Sequence, residues 1–199
     1  AETFRLFTYG SLDCGMIHFS KIEDFVGHTS KAFLSGSMYR TKFGFPLLVK
    51  GGGDVIQGHV HEVRGPGLLL RLLDEFFGVN TLDPIKSLHV RETVLVEDES
   101  GQAASAQVFF LNPLKLPPLA VRIENGDWQS SLQKDPPLSQ QLSEPQRLYI
   151  QRMGATGGRE TVPLDMNLYR ELLQMKLIED VGRQLNLSKL GQEVYRFLA

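Results

Sequence analysis

Residues 6–12 read LFTYGSL, an apolar and aromatic run that stops abruptly at a small polar pair. Aromatic and large apolar residues in a short run predict a β-strand. Gly10 and Ser11 then predict a turn, because glycine adopts backbone dihedral angles that other residues avoid. Two interpretations of this turn are open: ordinary loop chemistry, or a backbone pocket that holds a small ligand.

Outward from this stretch, the first two thirds of the chain predict a β-rich domain. Alternating apolar residues and flanking turn residues predict further strands at 31–40, 45–50, 55–63, 88–97 and 104–111. One helix is predicted at 66–78, because Pro66 stands near its start, Gly78 lies just past its end and the apolar residues between them follow helical spacing. We therefore expect a mixed α/β fold with a helix packed on a sheet or barrel.

The composition is that of an ordinary globular protein. The chain has 199 residues, of which 42% are hydrophobic and 22% charged, and its net charge is −2. This charge gives no reason to expect nucleic acid or an anionic membrane as a partner. No apolar run reaches the roughly 20 residues of a membrane span. The single cysteine, Cys14, excludes an internal disulfide and favours a reducing compartment, so we predict a cytoplasmic protein.

The last third has a different composition. Gln, Ser and Pro are frequent around 133–146, which predicts a linker at 134–143 between a domain at 1–133 and a mainly helical module at 144–199. The end of this module resembles the end of a winged-helix domain. However, residues 144–199 hold eight Lys or Arg against seven Asp or Glu, a net charge of +1. DNA-binding surfaces concentrate positive charge, so a helical cap or a protein-interaction module is favoured.

Several motifs of the first domain occur in the order seen in one known family. They are Tyr9-Gly10-Ser11-Leu12 with the trailing Gly15, the strand VIQGHVHEV at 55–63, the helix end LLDEFFGV at 72–79, the pair Arg91 and Val94, and ENGDW at 124–128. Together, residues 4–128 resemble the γ-glutamylcyclotransferase-like family, which includes the AIG2-like proteins.

This resemblance implies a small mixed α/β fold built on a β-barrel, with a cavity lined by the YGSL loop, residues 9–12. In active members, backbone amides of this loop hold the γ-glutamyl portion of the substrate. The α-amine of the substrate attacks its own γ-carbonyl and releases 5-oxoproline, without a metal or cofactor. The resemblance thus assigns substrate binding to Tyr9, Gly10, Ser11, Leu12 and Arg91.

The sequence departs from the family at the general base. The family motif L-D-x-x-E-G aligns with LDEFFG at 73–78, which puts Phe77 at the position of the glutamate. Phenylalanine cannot accept a proton, so the usual chemistry is expected to be impaired or altered. Glu75 is a weak replacement, because residues two apart on a helix point to nearly opposite sides.

Histidines form the second departure. His59 and His61 alternate on one strand face, and His89 stands where many members have tyrosine. His61 or His89 is a weak candidate for a replacement base, since imidazole titrates near neutral pH. Histidines at i and i+2 also ligate metals such as zinc. The more conservative interpretation is a set of barrel histidines hydrogen-bonded to their neighbours, and we predict no metal and no cofactor.

The leading hypothesis is a protein that binds a γ-glutamyl or similar amino-acid-derived ligand at the YGSL loop, with impaired or altered cyclotransferase chemistry. A second hypothesis is an active, 5-oxoproline-forming enzyme that uses a different base. A third is a ligand-sensing regulatory protein that contacts a protein partner through residues 144–199.

Overall fold

The structure is a computed structural model, and it describes residues 3–199. Its contacts group the chain into two compact units, of which the first ends at Lys134 and the second is Asp135–Ala199. None of the helices in the described part of the chain is long and apolar enough to cross a membrane.

The first unit is a closed β-barrel with additional strands. Five strands pair in the cyclic order β2–β4–β1–β6–β5 and back to β2, while β3 and β7 both pair with the end of β2. Every pairing is antiparallel except that of β1 with β6. The predicted mixed α/β barrel is confirmed. The strands are β1 (Arg5–Thr8), β2 (Val26–Arg40), β3 (Pro46–Lys50), β4 (Asp54–Val63), β5 (His89–Asp98), β6 (Ala103–Leu111) and β7 (Val121–Ile123).

Most of these elements agree with the sequence patterns. The predicted helix is α1 (Pro66–Phe77), which is flanked by Gly65 and Gly78, both in the left-handed conformation. β2 begins five residues earlier than predicted, in a stretch whose early residues are exposed or half-buried and show no apolar alternation. β7 has three residues and was not predicted, because so short a strand has too few positions to show a period.

Alternation along β1 divides the core of this unit into two clusters. Phe7 and Tyr9 belong to a cluster that takes residues from all five barrel strands and from Trp128. Leu6 points to the opposite face and belongs to a second cluster with Leu12, Ile22 and Phe109, together with the buried face of α1. The YGSL loop thus leaves β1 at the boundary between two different environments.

The remaining helices and strands follow the barrel. The first unit ends with α2 (Trp128–Lys134). The second unit contains α3 (Leu138–Gln141), α4 (Glu144–Thr156), α5 (Met166–Gln174), the hairpin β8 (Ile178–Val181) and β9 (Gln184–Leu187), and α6 (Lys189–Leu198). The predicted capping box of Ser143 and Gln146 is present at the start of α4. The predicted linker, 134–143, contains α3, in which Ser139 is buried.

Candidate functional site

The break after β1 is a single 3₁₀ turn, Gly10–Leu12. Gly10 has a positive φ of 60°, a conformation that residues with a side chain rarely adopt. A Cβ atom built on Gly10 would lie 2.4 Å from Cβ of Pro46 and 3.6 Å from the ring of Trp128. Both the backbone conformation and the lack of space therefore require glycine at this position.

The four residues of the YGSL loop point into different surroundings. Tyr9 is buried, and its hydroxyl donates a hydrogen bond to the carbonyl of Phe109. Ser11 is also buried and lies 2.8 Å, Oγ to Nδ1, from His18. The side chain of Leu12 packs into the cluster around α1. Burial raises the pKa of the Tyr9 phenol far above its usual value, so this group stays protonated.

A cavity of about 250 Å³ lies beside Gly10. Of the four loop residues, Gly10 alone lines it. The other lining residues come from the segment after the loop, from β2 and β4, and from the turn before α2 together with the start of α2. They are Asp13, Cys14, Met16, Lys31, Gln57, Gly58, His59, Gly126, Asp127, Trp128 and Gln129.

The register of three strands brings polar side chains together next to this cavity. Thr8 on β1 lies opposite His59 on β4, and Thr29 on β2 lies opposite His61. The rings of His59 and His61 are stacked with centroids 6.3 Å apart, which confirms that the two histidines share one face. Asp13 reaches this face from the segment that follows the YGSL loop.

These side chains form a continuous hydrogen-bonded chain, here called the Thr29–His59 chain. Thr29 Oγ1 lies 2.8 Å from His61 Nδ1, and His61 Nε2 lies 2.8 Å from Thr8 Oγ1. The Thr8 hydroxyl donates to Asp13 Oδ1 at 2.7 Å, and the same oxygen lies 2.8 Å from His59 Nδ1. The chain thus links His61, which is fully buried, to His59, whose side chain is 30% exposed.

Burial sets the protonation of this chain. Desolvation raises the pKa of the Asp13 carboxyl, while the hydrogen bond from Thr8 and the nearby His59 act in the opposite direction. Desolvation lowers the pKa of His61 to about 4, so this ring is neutral near pH 7; His59 adds to the shift only when its own ring is protonated. The pKa of the Cys14 thiol is raised by burial and by the adjacent Asp13, which disfavours the thiolate.

Phe77 lies on the opposite side of the loop, in an aromatic cluster. Its ring stacks on Phe109 with centroids 4.4 Å apart and lies 5.0 to 6.4 Å from the rings of Phe76, Phe45 and Tyr9. Only 1% of Phe77 is exposed, and it does not line the cavity beside Gly10.

Comparison with known proteins identifies the family of the barrel unit. The profile of the family described as "Gamma-glutamyl cyclotransferase, AIG2-like" matches residues 6–130, more than half of the chain. The chain belongs to this family. No curated protein sequence matches it closely enough to count as a relative.

Two solved structures are similar to the barrel unit. YkqA from Bacillus subtilis matches with a TM-score of 0.50 and 24% identity, over 67% of this chain and 42% of that protein. An AIG2-like protein from Mus musculus matches with a TM-score of 0.45 and 18% identity, over 59% of this chain and 82% of its own. The chain thus spans less than half of the B. subtilis protein.

Three residues considered for the site lie away from the cavity: Arg91, which the family resemblance suggested, and Glu75 and His61, which were candidates for a replacement base. Glu75 is exposed, on the opposite side of α1 from the buried Phe77. Arg91 pairs with Asp74, with Nη1 3.1 Å from Oδ1, and both side chains are at most one quarter exposed. His61 uses both ring nitrogens in the Thr29–His59 chain. None of the three lines the cavity beside Gly10.

His89, the other suggested base, lies on the side of Phe77. Its Nδ1 is 2.8 Å from the carbonyl oxygen of Phe77, and since a carbonyl only accepts, Nδ1 carries the proton. Its Nε2 is buried and has no hydrogen-bond partner among residues 3–199. Burial lowers the pKa of His89 to about 4, and the bond to Phe77 partly opposes this shift.

Sequence reasoning gave no role to Asp13 and Trp128, and it treated His59 only as half of a possible metal pair. Asp13 directly follows the YGSL loop, and Trp128 is the last residue of the ENGDW motif. Both residues therefore belong to or adjoin motifs that carry the family resemblance. Trp128 is 7% exposed, and its indole N–H is buried without an acceptor among residues 3–199. Asp13, Cys14 and His59 also offer three metal-type ligand atoms within 4.8 Å of one another.

Proposed function

We propose that the cavity beside Gly10 binds a γ-glutamyl compound or a similar amino-acid-derived ligand, and that conversion to 5-oxoproline is slow. The burial of Phe77 in an aromatic cluster is the observation that carries this proposal. The family resemblance puts Phe77 at the position of the glutamate base, and a 1% exposed phenyl ring neither accepts a proton nor reaches a ligand.

The chemistry of the cavity supports an amino-acid-like ligand. A γ-glutamyl group carries an α-ammonium and an α-carboxylate. Asp13 offers a carboxylate to the first, and Lys31 offers a cation to the second. The unpaired indole N–H of Trp128 gains an acceptor if a ligand oxygen binds there. A volume of about 250 Å³ is close to the lower end of ligand pockets and favours a small molecule.

Binding can be followed through Trp128, because it is the only tryptophan in the sequence and it lines the cavity. The purified chain is titrated with γ-glutamylalanine, and indole fluorescence is recorded. The isomer α-glutamylalanine, which has the same atoms but a different linkage, is the matched control. We expect a saturable change with the γ-linked compound and a much weaker one with the α-linked isomer. An equal response to both isomers, or to neither, contradicts the proposed ligand.

Turnover is measured on the same samples as 5-oxoproline formed from γ-glutamylalanine. We expect a rate clearly below the range of about 1–10³ s⁻¹ that is typical of enzymes. The variant Phe77→Glu places a carboxylate at the motif position, but this position does not line the cavity beside Gly10, so in the folded fraction we expect no faster turnover. A clear gain in turnover would instead put the γ-glutamyl group on the Phe77 side of the loop. A wild-type rate within the typical range contradicts impaired chemistry, and this result stands even where Phe77→Glu fails to fold.

A further inference from the structure

We infer that His59 is the acid–base group of the cavity beside Gly10, and that Asp13 is the residue that positions it. This inference rests on the proposed γ-glutamyl ligand and names the group that carries out the remaining slow conversion. The proton positions in the Thr29–His59 chain support this role.

Asp13 fixes these positions in its ionised form, because a carboxylate only accepts hydrogen bonds. Thr8 and His59 Nδ1 must therefore both donate to Asp13 Oδ1. Since the Thr8 proton is used in that bond, the Thr8 oxygen accepts a hydrogen bond from the N–H at His61 Nε2. The other nitrogen of the neutral His61 then accepts from the Thr29 hydroxyl. Every donor in the chain has one acceptor, so the arrangement is mutually consistent.

It follows that the neutral form of His59 holds its proton on Nδ1 and presents a lone pair on Nε2. No hydrogen bond to this Nε2 is found within residues 3–199. The ring lines the cavity, and its side chain is 30% exposed. A carboxylate that holds one nitrogen of an imidazole and leaves the other free for the substrate is the arrangement by which a buried acid orients a general base.

The other two histidines considered for this role differ from His59. His61 has no free nitrogen. His89 has a free Nε2, but it is enclosed by aromatic rings on the side of Phe77 and does not line the cavity. Of these three histidines, His59 alone combines an oriented ring, a free lone pair and access to the cavity.

The conversion can then be written with all protons assigned. His59 Nε2 takes a proton from the α-ammonium of the bound γ-glutamyl compound. The free amine attacks the γ-carbonyl carbon, a carbon–nitrogen bond forms within the new ring, and the bond from this carbon to the leaving amine breaks. The imidazolium returns the proton to the leaving nitrogen, and the ring nitrogen, which still carries two protons after the attack, releases one of them to solvent. The products are 5-oxoproline and the free amine, and the protein is unchanged.

The test compares 5-oxoproline formation from γ-glutamylalanine by wild type, His59→Gln and Asp13→Asn. His28→Gln, an exposed histidine outside the cavity, is the matched control. We expect His59→Gln to lower kcat by about 100-fold or more, while the fluorescence titration of Trp128 changes little. The control should retain the wild-type rate. Wild-type turnover by His59→Gln, or no turnover by any sample, overturns the inference.

The positioning role of Asp13 needs a separate measurement, because a structural defect also lowers turnover. Nitrogen-15 NMR of the imidazoles distinguishes protonation at Nδ1 from protonation at Nε2. We expect the His59 proton on Nδ1 in wild type, partial transfer to Nε2 in Asp13→Asn, and recovery of both tautomer and turnover in Asp13→Glu. An Nε2-protonated His59 in the wild type overturns the inference.

Two further results separate this inference from the proposed function. Binding of γ-glutamylalanine with conversion that is indifferent to His59 contradicts the inference alone. Rapid conversion that depends on His59 supports the inference and contradicts impaired chemistry. Turnover that a chelator abolishes and zinc restores overturns the acid–base role, because it makes Asp13, Cys14 and His59 metal ligands instead.

Discussion

The two sides of the YGSL loop differ in their chemistry. On one side, Gly10 faces a cavity edged by carboxylate, imidazole, ammonium and indole groups. On the other side, Leu12 packs against a cluster in which Phe77 and Phe109 are stacked. A loop can therefore keep its backbone conformation while a catalytic position elsewhere in the fold takes on another role. The glycine turn is retained and its cavity is polar, while the position where the family resemblance expects a base serves as hydrophobic core.

The largest effect on stability is expected from a substitution in the aromatic cluster, on the core side of the loop. Phe77→Ala deletes a buried ring that contacts four other aromatic rings, and we expect the free energy of unfolding to fall by about 3–5 kcal/mol. Denaturant-induced unfolding measures this loss. Leu72→Ala on the exposed face of the same helix is the control, since Leu72 is 44% exposed. A loss below about 1 kcal/mol for Phe77→Ala means that the ring is not part of the core.

The next effect concerns the turn that joins the two sides. In Gly10→Ala, the alanine must adopt a left-handed conformation and also place its Cβ against Pro46. We therefore expect the free energy of unfolding to fall by roughly 2–4 kcal/mol. Gly15→Ala has the same backbone problem but no atom within 4 Å of its Cβ. It should lose only about 1–2 kcal/mol. Equal losses for the two variants show that the close approach to Pro46 contributes nothing.

A smaller effect links stability to pH on both sides of the loop. The pKa of His61 and that of His89 are each lowered from 6.5 to about 4, so the unfolded chain binds protons between these values that the folded chain does not. Stability is therefore retained above pH 6.5 and is lost as the pH falls toward 4, at a rate on the order of 1 kcal/mol per pH unit for each ring.

Single substitutions show how much of this pH dependence comes from His61 and how much from His89. His61→Gln and His89→Gln should each remove about half of the slope between pH 6.5 and pH 4, measured by unfolding at several pH values. His28→Gln, which replaces an exposed histidine, is the control. A slope that neither replacement changes means that other groups cause the acid sensitivity.

The fold followed from the sequence more closely than the site did. Strand and helix periods depend on residues that are close in the chain, so β1, β4 and α1 were predicted within a few residues. The Thr29–His59 chain depends on register between three strands, and no local pattern reveals that Thr8 lies opposite His59. Phe77 was recognised because it disagrees with a motif. Asp13 was missed because a single carboxylate after a turn has many ordinary explanations.

The smallest effect concerns Arg91, which the family resemblance suggested for substrate binding. In the structure its guanidinium pairs with Asp74, with Nη1 3.1 Å from Oδ1, and the pair is partly exposed. Such a pair contributes at most about 1 kcal/mol, so Arg91→Gln should reduce stability by no more than that. Since Arg91 does not line the cavity, we expect the Kd for γ-glutamylalanine, from Trp128 fluorescence, to change less than about twofold, well below the tenfold that corresponds to 1.4 kcal/mol.

Lys31→Gln is the matched comparison for Arg91→Gln, because it also removes one cation but does so at the edge of the cavity. It should weaken binding clearly more than Arg91→Gln does, since the α-carboxylate of the ligand loses its opposite charge. The reverse ranking places the ligand on the Asp74 side of the barrel, near the position that Phe77 occupies. In that case the polar cavity beside Gly10 is not where the γ-glutamyl group binds, and the division between a binding side and a core side of the loop fails.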